Sequence, residues 1–244
     1  MRIAVAGGTG WIGRLVVAQA REAGHDVVVI ARSVGVDLTT GAGLDAALKD
    51  VDAVIDVSNI ETLRRATATR FFETVTRTLL AAEERAGVKH HVLLSIVGVD
   101  RVPWGYYQAK LHQEEIALAG AVPVTVLRAT QFHEFAAQML ERSSGPIAVV
   151  PRMLSRPVAA AEVAAELIHL AASAPLGRAP DLAGPETLRM ADLVRTLSRH
   201  RGLRKLVLEI PLPGPAGRAM STGGILPATP GSRGTQTFTE WLTA

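Results

Sequence analysis

A glycine-rich turn begins at residue 7, between an apolar run and a stretch with helical spacing. The run is Arg2-Ile3-Ala4-Val5-Ala6, and the helical spacing covers Trp11–Ala23 and ends at Gly24. Gly7-Gly8-Thr9-Gly10-Trp11-Ile12-Gly13 satisfies GxGxxG through Gly8, Gly10 and Gly13, and GxxGxxG through Gly7, Gly10 and Gly13. Glycine at these places permits a tight turn and lets backbone N–H groups approach a pyrophosphate. The helix N-terminus then faces the negative charge. The pattern alone is common, but between a strand and a helix it is specific. Arg14 follows the last glycine and is a further candidate for the same anion.

The remainder of the chain continues the alternation. Strands are expected at Asp26–Ile30, Ala53–Val57, Val92–Ile96 and Val124–Arg128, and helices at Leu44–Lys49, Glu61–Arg85 and Tyr106–Ala119. This βαβα order predicts an α/β fold: a Rossmann-type doubly wound parallel sheet covered by helices on both faces. Beyond residue 130 the pattern loosens. Glu134–Glu141, Ala160–Ala172 and Ala191–His200 read as helices, Ile147–Val150 and Leu206–Ile210 as strands. With 244 residues, a single domain is expected. Residues 1–130 would form its core and 131–244 a small C-terminal substrate-binding lobe.

The end of the second strand sorts the ligand. An acid there would bind the ribose 2′-hydroxyl of NAD; this chain has Ala31-Arg32-Ser33 instead. Arg32 and Ser33 suit a 2′-phosphate, so NADP(H) is preferred and NAD(H) possible. Asp37-Leu38 is a candidate adenine-edge contact, although Asp37 equally suits a turn cap. Ser58 and Asn59, after the third strand, are expected to flank the cofactor.

The chain has two tyrosines, and one of them starts Tyr106-Tyr107-Gln108-Ala109-Lys110. A spacing of four puts Tyr106 and Lys110 on one helix face. A cation beside the phenol would lower its pKa and make Tyr106 an acid–base group near neutral pH. The glycine turn, Ala31-Arg32-Ser33, Ser95 and Tyr106–Lys110 together resemble the short-chain dehydrogenase/reductases, and more narrowly their atypical, NmrA-like NAD(P)H-binding branch, over residues 1–200. The resemblance implies that Tyr106 passes the proton and that Lys110 also holds the nicotinamide ribose. It implies too that Ser95 orients the substrate oxygen, though Ser95 equally suits an ordinary strand end, and that Ala129-Thr130-Gln131 passes the nicotinamide. The activity implied is hydride transfer to a carbonyl, quinone or enone. A non-catalytic NADP(H)-sensing protein and an isomerase without net redox stand as alternatives.

Half of the ten aromatics, Trp104, Tyr106, Tyr107, Phe132 and Phe135, fall within residues 104–135. They suggest an apolar or aromatic small-molecule substrate, with His133 as a second polar group of the pocket or as a helix cap. Glu114-Glu115 reads as a solvated helix face. His90-His91 enters a strand, so the two rings should point to opposite faces, and no metal is expected. Pro211–Gly234, rich in proline and glycine, reads as a lid without regular structure, re-anchored by Thr237–Leu242.

Composition excludes other classes. Hydrophobic residues make up 48% and the net charge is only +3, which rules out a disordered chain. Cysteine is absent, so there is no disulfide scaffold, thiol nucleophile or thiolate metal site. Of the 26 basic residues 22 are arginines, scattered without a run, so no nucleic-acid partner is expected. No stretch reaches the ~18 apolar residues of a membrane span. The apolar run at the front stops at Gly7, short of a signal core. A cytoplasmic protein without a membrane partner is expected, either monomer or homo-oligomer.

Overall fold

A computed structural model describes residues 1–143, 145–229, 231 and 233–244. Its elements in chain order are β1 (Arg2–Ala6), α1 (Trp11–Glu22), β2 (Asp26–Ile30), α2 (Leu44–Ala47), β3 (Ala53–Asp56), α3 (Arg65–Ala86), β4 (His90–Ile96), α4 (Gly105–Leu118), β5 (Val124–Ala129), α5 (Glu134–Glu141), β6 (Ile147–Pro151), β7 (Leu154–Ser155), α6 (Ala160–Ala171), β8 (Gly177–Arg178), β9 (Leu188–Arg189), α7 (Met190–His200), β10 (Leu206–Ile210), α8 (Gly214–Ser221) and α9 (Phe238–Thr243). The chain divides into two compact units that interleave in sequence. The first comprises residues 1–95, 105–128 and 163–179; the second comprises 96–104, 129–162 and 180–244. The chain thus crosses the expected boundary near 130 more than once: residues 96–104 go to the second unit, and 163–179 return to the first.

The first unit carries the six-stranded sheet, in the order β2-β1-β3-β4-β5-β8. β1 pairs in parallel with both β2 and β3. The chain leaves β1 to one side and returns on the other, so the β1/β3 junction is the switch point, where such sheets bind ligands beyond their carboxyl ends. The strands are apolar because both faces are covered. Ala4, Ala6, Ile30 and Val54 cluster with Leu44 of α2, Leu48 just after it, and Val75 and Leu79 of α3. Helix α1 buries Gly13, Val16, Val17 and Ala20 and closes at Ala23, with Gly24 left-handed at φ +80° beyond it.

Two boundaries differ from the sequence reading. Helix α3 starts at Arg65 rather than Glu61, because the Thr62 hydroxyl accepts the Arg64 N–H and Arg64 is extended. Strand β4 starts at His90 rather than Val92, since His90 and His91 already pair with Ala53 and Val54.

In the second unit β6 and β10 form a parallel pair with Leu206 opposite Ile147 and Leu208 opposite Val149. Ala148, Val150 and Val207 are buried on its inner side, while Ile147, Val149, Leu206, Leu208 and Ile210 are exposed. The expected absence of regular structure in Pro211–Gly234 is corrected here. Residues 214–221 of Pro211–Gly234 are helix α8, and Ile225 is fully buried. The segment is tied down by Arg101 donating to the Leu226 carbonyl at 2.5 Å and by Gly234 N–H donating to the Ala183 carbonyl at 2.8 Å. Pro230 lies outside the described residues. The expected anchor is helix α9, opened by a capping box between Thr237 and Glu240.

Candidate functional site

The turn from β1 into α1 is built on close backbone approach. Gly7 is left-handed at φ +80°, and a Cβ on it would sit 3.0 Å from the Ser58 backbone. A Cβ on Gly13 would overlap the Gly7 carbonyl oxygen. Gly8 N–H donates to Val5 O at 3.2 Å and Gly10 N–H to Gly7 O at 2.9 Å. Helix α1 has no side-chain cap on its first N–H groups and no acid in its first turn. Its positive dipole end therefore meets no acid of its own at the switch point, which fits a pyrophosphate. Thr9 and Arg14 are on this turn; the Thr9 hydroxyl accepts from Ser33 Oγ at 3.4 Å. Ile12 is half-buried, and Trp11 and Arg14 are exposed.

Arg32 opens an exposed 3-10 turn after β2. The Asp37 carboxylate accepts from Thr39 N at 2.8 Å and Thr39 Oγ1 at 2.6 Å. Those bonds hold it below the usual carboxylate range, with a smaller part from Arg32. It caps its own turn, and Leu38 packs in the core beside Leu44.

After β3 the chain runs Asp56, Val57, Ser58, Asn59. Asp56 is 1% exposed; its Oδ1 accepts the Ser58 N–H at 2.8 Å and its Oδ2 accepts Gln113 Nε2 at 3.2 Å. Ser58 is buried, and its hydroxyl has no partner among the described residues. Asn59 is exposed, and its Oδ1 accepts the Tyr106 hydroxyl at 2.5 Å. The Tyr106 ring stands edge-on to Phe72, with centroids 5.7 Å apart.

The expected Tyr106–Lys110 couple is corrected. Burial, then Tyr107 and Glu61, push the Tyr106 phenol well above its ordinary 10, so it stays protonated. Lys110 is 5% exposed and turned inward: Nζ donates to Leu94 O at 2.8 Å and Gln113 Oε1 at 2.6 Å. It also lies 4.8 Å from the Phe72 ring centroid. Burial lowers its pKa to about 8, against the pull of Asp56 and Glu114. Both residues do share a helix, but the phenol goes to the β3 exit and the ammonium to the core.

Ser95 and Glu114 belong to one cluster. Glu114 is fully buried rather than solvated. It accepts from Ser95 Oγ at 2.5 Å, Arg128 Nη2 at 2.7 Å and Arg178 Nη1 at 2.6 Å. The Ser95 hydroxyl donates into this cluster. His90 and His91 do diverge, to Thr125 and to the buried Glu83 carboxylate at 2.8 Å each.

The expected pocket residues divide. Tyr107 is buried in the first unit; Trp104, Phe132 and Phe135 are half-buried in the second. Ala129 is buried, bridging to Leu182. Thr130 Oγ1 donates to Arg156 O at 2.6 Å, and Gln131 Oε1 accepts from Ser155 Oγ at 2.8 Å. His133 lies buried in the second unit. It is 1% exposed, its Nε2 meets Gln236 O at 3.1 Å, and its ring packs on Phe238 and Trp241 of α9. Asp56, Gln113, Arg128 and Arg178 escaped the sequence reading. The signal for Gln113 and Glu114 was their i+3 and i+4 spacing from Lys110, which places them on its face.

A parallel sheet with a glycine turn at its switch point is the architecture of a dinucleotide-binding domain. Residues 7–173 match the NAD(P)H-binding family, and the chain belongs to it. Among curated proteins it is similar to the photosystem II assembly factor Ycf39 of Synechocystis sp., 33% identical over 117 residues, covering 42% of this chain and 36% of that protein. The chain thus matches about a third of that relative's length. Among solved structures it resembles the NADPH-dependent quinone oxidoreductase of Escherichia coli complexed with NADPH: 19% identity, TM-score 0.74, 99% of this chain and 98% of that one. It also resembles a short-chain dehydrogenase/reductase superfamily protein from Agrobacterium tumefaciens with bound NAD: 20% identity, TM-score 0.74, 100% and 95% coverage. Among the described residues no helix is long and apolar enough to cross a membrane, and no group of three or more His, Cys, Asp or Glu side chains is placed to hold a metal ion.

Proposed function

We propose that the chain is an NADPH-dependent oxidoreductase transferring hydride to a carbonyl, quinone or enone of an apolar small molecule, with Tyr106 as proton donor. One observation carries this reading. The Tyr106 hydroxyl reaches Asn59, next in the chain to Ser58, whose backbone packs against Gly7. A protonated phenol therefore stands by the carboxyl ends of β1 and β3. The family supports a nicotinamide cofactor, and the likeness to the quinone oxidoreductase supports a quinone within the substrate class.

The residues present fit such a cofactor. Backbone N–H groups at the start of α1, at Ile12 and Gly13, would hold the pyrophosphate, Arg32 and Ser33 the 2′-phosphate, and Ser58 and Asn59 the ribose side of the nicotinamide. NADP(H) is preferred on the strength of Arg32, and NAD(H) remains a substrate of lower affinity. Bound there, NADPH would supply hydride to an electrophilic carbon. Tyr106 then gives its proton to the substrate oxygen as negative charge develops, and Asn59 orients the O–H beforehand. The acceptor at Asn59 and the burial of the ring both favour the neutral phenol, which suits reduction better than oxidation.

The alternative of an NADP(H)-sensing protein is favoured by the inward turn of Lys110. Absorbance at 340 nm separates the two readings. Purified chain with NADPH and a panel of quinones and ketones should consume NADPH, and Tyr106→Phe should lower turnover ~10²–10⁴-fold with cofactor binding retained. Binding without turnover on any acceptor would favour the sensor.

A further inference from the structure

The parallel pair of β6 and β10 has one face without a partner among the described residues. Its register sets Leu206 beside Ile147, Leu208 beside Val149 and Ile210 beside Pro151. Alternate residues of a strand share a face, so these six side chains form one ladder with no charge in it. Ile147, Val149, Leu206, Leu208 and Ile210 are each 42–59% exposed. The opposite face, with Ala148, Val150 and Val207, is buried, and Glu209 belongs to that side, where it pairs with Arg152 and Arg189. Single exposed apolar side chains are ordinary, but a contiguous ladder of them marks an interaction surface.

Because the two strands are parallel, the chain enters both at the same end, from α5 into β6 and from α7 into β10. Those entries carry Arg142, Arg199, Arg204 and Lys205. The three arginines are exposed, and Lys205 ties the entries together by donating to the Ser143 carbonyl. Among the described residues none of the four has a carboxylate partner, because the nearby acids are taken. Glu141 pairs with Arg201 at 3.2 Å, Asp192 with Arg195 at 2.8 Å, and Glu209 with Arg152 and Arg189 at 3.7 Å each. Residues 141–152 and 189–210 hold eight Arg and Lys against three Asp and Glu, whereas the rest of the chain has 18 against 20. The excess positive charge of the chain is thus gathered around the apolar ladder.

We propose that this face docks on the surface of a bilayer rich in anionic lipid. The ladder enters the boundary between headgroups and acyl chains, and Arg142, Arg199, Arg204 and Lys205 meet lipid phosphates. Size and charge select a bilayer over a second copy of the chain. Five residues at ~3.3 Å each, on two strands ~4.8 Å apart, make a ladder roughly 17 Å long and 10 Å wide. Its footprint falls well short of the ~800 Å² per partner of a stable dimer. A second copy would also bring the same excess of positive charge and be repelled. Anionic headgroups instead supply the missing counter-charge, and each Arg or Lys near them adds to binding. Arginine stems can lie along apolar surface while their heads stay with phosphate. The expectation of no membrane partner rests on the missing spanning run, and a face that lies on a bilayer needs none. The proposal stands independently of the nicotinamide reading.

The test is flotation of the full chain with vesicles of phosphatidylcholine alone and of an equal mixture of phosphatidylcholine and phosphatidylglycerol. The chain should float with the mixed vesicles, stay behind with phosphatidylcholine, and be released as salt rises. Replacing Arg142 and Arg204 together by Gln should weaken binding about twentyfold, at about fivefold per cation. Replacing Leu206 and Leu208 together by Ser keeps every charge and should weaken binding about tenfold or more. Arg21→Gln, at an exposed site of the first unit, should bind as wild type does. Thermal melts identify any variant that does not fold, and the lipid and salt comparisons on wild type then still decide. No flotation of wild type, equal flotation with both vesicles, or equal flotation of all variants would overturn the proposal. A loss in the arginine variant with none in the leucine variant would mean adsorption without insertion and would overturn it too. So would a concentration-dependent dimer in sedimentation that the leucine variant lacks, since the face would then belong to a second copy.

Discussion

Tyr106 donates to Asn59 Oδ1 at 2.5 Å, and an acceptor in that position stabilises the neutral phenol. Replacing Asn59 by Ala should leave the phenol undirected and lower kcat for the proposed reduction about tenfold, with a smaller change in KM. A steady-state comparison of Asn59→Ala with wild type checks this, and an effect on KM alone would show that Asn59 serves binding and not the proton. Arg32 belongs to the other end of the site. Arg32→Ala should weaken NADPH by about 1.5–3 kcal/mol and leave NADH nearly unchanged. Titrating both nucleotides against the variant decides it, since equal loss would remove the 2′-phosphate from the argument. The two residues also mark what could be read in advance. The place of Arg32, in the turn just after β2, was legible because the strand before it was. The pairing of Tyr106 with Asn59, 47 residues apart in sequence, depends on how α4 lies over the end of β3, and no local pattern encodes that.

Helix α4 shows why neighbouring residues must be read one at a time. Glu114 and Glu115 are adjacent, and successive helical side chains point about 100° apart, so only one can share the solvated face. Glu115 is 60% exposed, while Glu114 is fully buried between Arg128 of β5 and Arg178 of β8. One carboxylate therefore joins α4 to two strands of the sheet. Glu114→Ala would leave the Arg128 charge, 15% exposed, without its counterion. A loss of about 3–5 kcal/mol is expected, with most of it from Arg128, since Arg178 is half exposed and screened. Urea melts of Glu114→Ala and Glu114→Gln measure it, and a loss under 1 kcal/mol would mean that the cluster is dispensable. Helix α8 teaches a related lesson. Its Pro and Gly content reads as loop, yet Pro215 sits in the first turn, where a missing N–H costs nothing, and Gly217 is where a Cβ would overlap the Leu212 carbonyl. Tertiary packing required the residues that composition took for disorder.

Up to β5 the order of strands and helices was legible because the strands carry apolar runs and the helices keep their period, whereas α8 and the two-residue strands β7, β8 and β9 carry no such signal. The buried polar groups were not legible, because burial of charge is decided by long-range partners. Their consequence is a stability profile with a definite sign. Lys110 has its pKa lowered from the ordinary 10.5 to about 8 by burial, against Asp56 and Glu114. Below pH 8 it is protonated whether the chain is folded or not, and its contribution is constant. Between pH 8 and 10.5 the unfolded chain binds the proton and the native chain releases it, so stability rises with pH. Tyr106 works the other way. Its pKa is raised by burial, Tyr107 and Glu61, so above pH 10 the unfolded phenol ionises first and stability falls. Together these two groups should place a maximum near pH 10, with a rise of about 2–3 kcal/mol on the way from pH 8. Denaturant melts from pH 7 to 11 on wild type, Lys110→Met and Tyr106→Phe separate the two limbs. Lys110→Met should lack the rise, and Tyr106→Phe should keep the rise and lose the decline. A wild-type curve parallel to that of Lys110→Met over the whole range would show that the ammonium is solvated in the native chain.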